Sequence, residues 1–132
     1  MTASESKYRG TPEYFVVMAE LIRAARHRGA VTYQQLAVQI NLPLRGNHMG
    51  REIGHVLGEI SQDEVEQWNR PMLSAVAVHS TGNPPGPGDG FFVWARELGR
   101  LHSDDRKREM EFWEEEKDRV YRAWEQRFDK VP

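Results

Sequence analysis

Apolar residues recur at three- and four-residue steps directly after Thr11-Pro12-Glu13. This spacing is typical of one buried face of an amphipathic helix. Thr11 is a good hydroxyl cap, Pro12 suits the first helical position, and Gly29 is typical of a helix end. The sequence therefore predicts a first helix over residues 12–28, with basic residues in its last turns. Its apolar face comprises Tyr14, Phe15, Met18, Leu21, Ile22 and Ala25.

Two further helices are predicted between residues 32 and 60. Thr32 and Gln35 have the spacing of a capping box at the start of the second helix. Asn41 ends that helix, and Pro43 prevents its continuation. The third helix is predicted from about residue 47 to residue 60. Its buried stripe comprises Ile53, Val56, Leu57 and Ile60.

Glycine recurs every fourth residue along another line of the third helix, at Gly50, Gly54 and Gly58. Each glycine in a helix interior costs about 1 kcal/mol relative to alanine. Three on one line therefore predict that a neighbour approaches the helix closely. That neighbour is either a packed helix or a bound duplex.

The next stretch predicts a helical turn, a strand and a loop. Residues 61–64 (Ser-Gln-Asp-Glu) have a second capping-box spacing, which predicts a separate short helix through Trp68. Residues 72–78 are bounded by proline and a turn, and their apolar run predicts a mostly buried strand. Residues 80–90 are rich in glycine and proline, so they are interpreted as an ordered loop or wing.

Two helices complete the predicted fold. A short one contains Phe91 and Phe92 and ends at Gly99, and the longest begins after residues 103–105 (Ser-Asp-Asp) and reaches about Phe128. The apolar stripe of the longest helix comprises Met110, Trp113, Val120, Tyr121, Trp124 and Phe128, with Glu114, Glu115 and Glu116 outside it. Such a stripe indicates a core contact or a dimer seam.

The fold class predicted from these elements is mainly α with a small β element. The second and third helices form a helix-turn-helix, followed by a wing and a long C-terminal helix. Residues 1–10 are predicted to be a flexible arm. Residues 11–132 are predicted to be a single winged-helix-like domain, on which the helix 103–130 packs.

Composition narrows the functional classes. The 132 residues contain no cysteine, which excludes disulfides, thiolate metal sites and a cysteine nucleophile. The histidines have no recognisable metal spacing and Ser74 has no evident base, so neither a metal, a cofactor nor an enzymatic activity is predicted. The polar N-terminus and the lack of cysteine favour a cytoplasmic protein. The net charge is −2, but bases outnumber acids by seven to two from Lys7 to Arg51, which is compatible with a nucleic-acid face.

Two motifs resemble a known family. Residues 31–37 (Val-Thr-Tyr-Gln-Gln-Leu-Ala) and 51–57 (Arg-Glu-Ile-Gly-His-Val-Leu) are similar to the winged helix-turn-helix of the alkylguanine-DNA alkyltransferases and the alkyltransferase-like proteins. The resemblance covers about residues 30–90. It implies that the third helix enters the minor groove, that Tyr33 pushes on a target phosphate, and that Arg51 fills the gap left by a flipped base. The family's glycine falls on Gly54.

The sequence departs from this family at the chemical centre. The family's alkyl-accepting cysteine falls on Ser74, and the His-Arg pair that follows it is missing. Because the acceptor must be a thiolate, methyl transfer is excluded. The first asparagine of the family's recognition helix falls on Met49, and the long final helix is an addition.

The sequence thus predicts a non-enzymatic protein that binds double-stranded DNA. A planar, always charged guanidinium stacks on bases and donates hydrogen bonds, which suits Arg51 for a groove. The residues predicted to contact DNA are Arg28, Tyr33, Gln34, Arg45, Asn47, His48 and Arg51. A variant of this hypothesis is a sensor of modified or distorted bases.

The alternative hypothesis is a protein-interaction or regulatory module in a nucleic-acid-handling system. In that case Trp113, Val120 and Trp124 of the last helix would form a homodimer seam or a docking surface for a partner.

Overall fold

The computed structural model describes residues 6–43 and 46–129. Over these residues the chain is mainly helical with one small parallel sheet of two strands, which confirms the predicted balance of α and β structure. In chain order the elements are α1 (Pro12–Arg26), β1 (Val31–Thr32), α2 (Tyr33–Gln39), α3 (Gly46–Trp68), a 3-10 helix (Leu73–Val76), β2 (Ala77–Val78), α4 (Asp89–Glu97) and α5 (Arg106–Asp129). Within the described ranges, none of the helices combines the length and the apolar character needed to span a bilayer.

The start of α1 is where the sequence predicts it. The Tyr14 N–H donates to the side-chain oxygen of Thr11 at 3.3 Å, and proline follows the cap. The buried face is centred on Val17 and Leu21, which are fully buried. Phe15 was predicted on that face but is 58% exposed, because it lies beside the buried stripe rather than on it.

α2 begins with the predicted capping box. The Gln35 N–H donates to Thr32 Oγ1 at 3.0 Å, and the Thr32 N–H donates to Gln35 Oε1 at 2.8 Å. Val31 and Thr32 form β1, which pairs in parallel with Ala77 and Val78 of β2. This pairing ties the start of α2 to the centre of the core.

The central segment, residues 72–78, is buried as predicted, but only its last two residues form a strand. Side chains from two helices pair with part of its backbone, so those groups do not need a sheet partner. The Met72 N–H donates to the Glu116 carboxylate at 2.8 Å, and the Ser74 N–H donates to Ser61 Oγ at 3.1 Å. The indole N–H of Trp113 donates to the Ala75 carbonyl at 2.8 Å.

α3 runs without a break through residue 61, so the prediction of a separate helix there is wrong. Ser61 does not cap anything, because its buried hydroxyl donates to Ser74 Oγ at 2.7 Å and accepts the Ser74 N–H. The predicted stripe of α3 is confirmed, since Ile53, Val56 and Ile60 are buried.

α5 packs its aromatic stripe into the core of this chain. Trp113, Val120 and Trp124 are 3%, 0% and 6% exposed. The expectation that these three side chains form a dimer seam or docking surface is corrected by this burial, which leaves them inaccessible to a partner. Glu116 was predicted on the outer face, but it is fully buried and forms an ion pair with Arg100 at 2.8 Å.

The flexible arm predicted for residues 1–10 is corrected for residues 6–10, which are docked on α3. The backbone N–H groups of Lys7, Tyr8 and Arg9 donate to the buried carboxylate of Glu59. The remainder of the predicted arm lies outside the described residues.

The three glycines on one line of α3 differ in their surroundings. At Gly58, an added Cβ would lie 2.0 Å from Nε1 of Trp94, so the indole ring packs directly on the helix backbone. At Gly50 and Gly54, an added Cβ would meet nothing within 4 Å. The predicted close neighbour is therefore a side chain at Gly58, while the first half of the line is open.

This contrast predicts opposite effects of two alanine substitutions. Gly54→Ala should raise the free energy of unfolding by up to about 1 kcal/mol, because alanine favours the helix and has room. Gly58→Ala should lower it by about 1–3 kcal/mol, because the Trp94 ring must shift. Chemical denaturation of both variants tests this. Equal shifts of the same sign would contradict the packing of Trp94 on α3.

Candidate nucleic-acid interface

The N-terminal half of α3 presents a polar, exposed face. Asn47, His48 and Arg51 are all exposed there. Among the described residues, none forms a hydrogen bond or ion pair with the Arg51 guanidinium, so this cation faces solvent. Gln34, on the preceding helix, is also exposed. These four residues were predicted to contact DNA, and their side chains are accessible.

Tyr33 is held differently from the exposed set. It is half-buried at the start of α2, and its hydroxyl oxygen accepts a hydrogen bond from the Gly88 N–H. Its ring packs edge to face on His79, with the centroids 4.8 Å apart. Burial raises the pKa of the Tyr33 hydroxyl above its ordinary value. Tyr33 therefore joins α2 to the loop that precedes α4.

Arg28 is engaged by α5. Its Nε lies 2.8 Å from Glu125 Oε2, its Nη1 lies 3.8 Å from Asp118 Oδ1, and its guanidinium stands over the Tyr121 ring. The structure thus gives Arg28 carboxylate partners, unlike Arg51. Arg45, the remaining predicted residue, lies outside the described residues.

A cleft of about 200 Å³ lies between α3, α4 and the loop before α4. The open glycines Gly50 and Gly54 form part of its α3 wall, so it adjoins the exposed face that carries Arg51. Its lining comprises Tyr33, Gly50, Ile53, Gly54, Leu57, Gly58, Ser74, His79, Gly88, Asp89, Gly90, Phe91 and Trp94. The sequence predicted neither the cleft nor its link to the glycine line, because its walls come from distant segments.

Polar groups in the cleft are few. No acceptor pairs with the indole N–H of Trp94 among the described residues. Ser74, which the resemblance predicts at the position of the family's alkyl acceptor, accepts a hydrogen bond from the Ser61 hydroxyl. Neither an imidazole nor a carboxylate hydrogen-bonds to Ser74 among the described residues. This arrangement suits binding of a flat, mostly apolar group.

Carboxylates form an acidic edge along α3, next to the exposed face: Glu52, Glu59 and Asp63. The edge is covered by residues 6–10, here named the N-terminal strap. Lys7 Nζ lies 2.6 Å from Glu52 Oε1, and Arg9 Nε lies 2.9 Å from Asp63 Oδ2. The predicted site does not include this edge.

Glu59 is the anchor of the strap. It is fully buried and accepts hydrogen bonds from three backbone N–H groups of the strap and from the Ser6 hydroxyl, the last at 3.0 Å. His55 Nε2 lies 3.0 Å from Glu59 Oε2, without the geometry of a hydrogen bond. Burial alone would raise the pKa of Glu59, but these hydrogen bonds outweigh it and hold the pKa below its ordinary value. The one sequence signal for Glu59 is its place inside an otherwise apolar run, residues 56–60.

No group of three or more histidines, aspartates or glutamates that could hold a metal is found in the described part of the chain. No protein-family model, curated protein or solved structure matches the chain. The resemblance to the alkyltransferase family therefore stays a prediction.

The lowered pKa of Glu59 predicts a specific pH dependence. A carboxyl with a depressed folded-state pKa contributes stability above its unfolded pKa, and this contribution is lost as pH falls through the folded value. Wild-type stability should therefore decline as pH drops below about 4.5. Glu59→Gln should lower the free energy of unfolding by about 2–3 kcal/mol at pH 7 and flatten this decline. Chemical denaturation between pH 7 and pH 3 measures both effects.

Glu111→Gln is the matched control, because Glu111 is half exposed and, among the described residues, pairs with Arg108, three residues earlier. Glu111→Gln should change neither the free energy of unfolding at pH 7 nor its decline at low pH appreciably. A pH dependence of Glu59→Gln identical to that of the wild type would contradict the assigned pKa.

Proposed function

We propose that this chain is a non-enzymatic protein that binds double-stranded DNA, with α2 and α3 acting as the helix-turn-helix of a winged-helix domain. The observation that carries the proposal is Arg51, an exposed cation near the start of α3 without a partner among the described residues. Arginine in this setting is suited to phosphate and base contacts. Asn47, His48 and Gln34 lie exposed beside it and add hydrogen-bonding groups.

The open glycines support a close approach of α3 to a duplex. Gly50 and Gly54 leave space where side chains would otherwise project. The minor groove is only about 6 Å wide, so a helix without side chains on one line can lie nearer to it. The backbone N–H groups at the start of α3, near Gly46 and Asn47, add donors for phosphate oxygens.

The cleft beside α3 supports the narrower proposal of a sensor for altered bases. Its volume of about 200 Å³ and apolar walls suit a single planar group. Extruding a base costs a few kcal/mol, least for a damaged or mispaired one. Arg51 stacked in the vacated space would offset part of this cost, while Tyr33 and Trp94 would form walls around the extruded base.

A salt series tests the DNA-binding proposal. Wild-type affinity for a plain duplex should fall steeply between 50 and 200 mM salt, because bound cations release counterions. Arg51→Ala should weaken binding by about 1–3 kcal/mol and reduce the salt slope by about 1. Arg122→Ala is the control, since Arg122 is an exposed arginine on α5 paired with Asp118. Duplex binding that is absent, or equally weakened by both variants, would contradict the proposal.

A second binding series tests the base-sensing proposal. A duplex carrying an alkylated guanine should bind more tightly than the plain duplex of the same sequence. A fluorescent adenine analogue at the target position should brighten on binding, because extrusion removes its stacking. Equal affinities for the plain and the alkylated duplex, together with unchanged fluorescence, would contradict the base-sensing proposal but not the DNA-binding proposal.

A further inference from the structure

The helix proposed to face DNA is itself acidic. α3 carries one arginine against five carboxylates, at positions 52, 59, 63, 64 and 66. Such a helix repels a polyanion unless its charges are compensated. The proposed function therefore needs a source of compensating charge near Arg51.

The N-terminal strap supplies that charge. The Lys7 ammonium and the Tyr8 hydroxyl both donate to Glu52, which immediately follows Arg51. These hydrogen bonds, the Lys7 bond foremost, lower the pKa of Glu52 below its ordinary value. The Nε–H of Arg9 donates a hydrogen bond that is shared between the two carboxylate oxygens of Asp63, at 2.9 and 3.0 Å. Two of the three carboxylates of the acidic edge thus receive a cation from outside α3.

The third carboxylate, Glu59, holds the strap in place. Its hydrogen bonds to the backbone of residues 7–9 fix the chain direction so that Lys7 and Arg9 point to opposite ends of the edge. A buried anion satisfied by several N–H groups is a specific anchor, because any other occupant would leave those groups unpaired. Positioning of the two cations is therefore built into the backbone as well as the side chains.

We infer that the N-terminal strap is part of the nucleic-acid interface and acts by neutralising the acidic edge of α3. This inference rests on the proposed function. The strap acts through charge compensation of Glu52 and Asp63, so that the field of Arg51 is not cancelled by its neighbours. Lys7 and Arg9 are positioning and charge-balancing residues here, and phosphate contact is not their role.

Full-chain variants test this inference. Lys7→Met/Arg9→Met removes both cations but keeps the backbone donors to Glu59. Affinity for a plain duplex at low salt should drop about tenfold. Adding Glu52→Gln and Asp63→Asn to this variant removes the two carboxylate charges that would otherwise be left without a cation. The affinity of this quadruple variant for the duplex should lie within about threefold of the wild-type affinity.

The control is Arg108→Met/Arg122→Met, which makes the same change in net charge on α5, where both arginines pair with acids of their own helix. It should bind like the wild type within about threefold. Thermal denaturation and amide exchange at residues 7–9 establish that each variant is folded with its strap docked.

Each outcome decides between the mechanisms. If the quadruple variant does not regain affinity, charge compensation is overturned, because the loss then comes from direct phosphate contact by Lys7 or Arg9. An equal loss of affinity in the α5 control would also overturn charge compensation, because the affinity would then depend only on the net charge of the protein. Unchanged binding by Lys7→Met/Arg9→Met alongside a weakened Arg51→Ala would overturn the role of the strap and leave the proposed function intact. Wild-type protein that binds no duplex would overturn both.

Discussion

The structure depends on how the backbone of the central segment, residues 72–78, is satisfied. Buried N–H and C=O groups need partners, and here three of the partners are side chains. Glu116 and Trp113 of α5 bind one side of the segment, and Ser61 of α3 binds the other. These contacts set α3 and α5 around a common centre. They also place Ser74 at the wall of the cleft and His79 against Tyr33, so the candidate site is a consequence of core packing.

Buried carboxylates that are paired with hydrogen-bond donors are a second recurring feature of the structure. Glu59, Glu64 and Glu116 are at most 1% exposed, and each has hydrogen-bond donors from another part of the chain. Glu64 pairs with Arg70, Glu116 with Arg100, and Glu59 with the backbone of the strap. A buried charge is costly unless it is paired in this way, so such pairs contribute specificity more than net stability. The contacts of Glu59 and Glu116 join segments that are distant in the sequence, including the N-terminal strap.

The candidate interface combines an accessible cation, an open helix face and a neighbouring cleft. Arg51, Gly50 and Gly54 lie within one turn of α3, and the two glycines link the exposed face to the cleft. Trp94 fills the space at Gly58, so the cleft ends where the helix enters the core. Because Lys7 and Arg9 offset two charges of the acidic edge, α3 would repel DNA less strongly. Arg28 differs from Arg51 in having carboxylate partners on α5.

The sequence by itself determined the features that depend on neighbouring residues. These are the capping box of Thr32 and Gln35, the proline-initiated α1, the apolar stripe of α3 and the long α5. The exposure of Arg51 also follows from its position off that stripe. Only the tertiary structure decided the role of Ser61, the burial of Glu59 and Glu116, and the docking of the strap. In each case the deciding partner lies more than ten residues away, and local periodicity carries no information about which distant donor satisfies a buried acceptor.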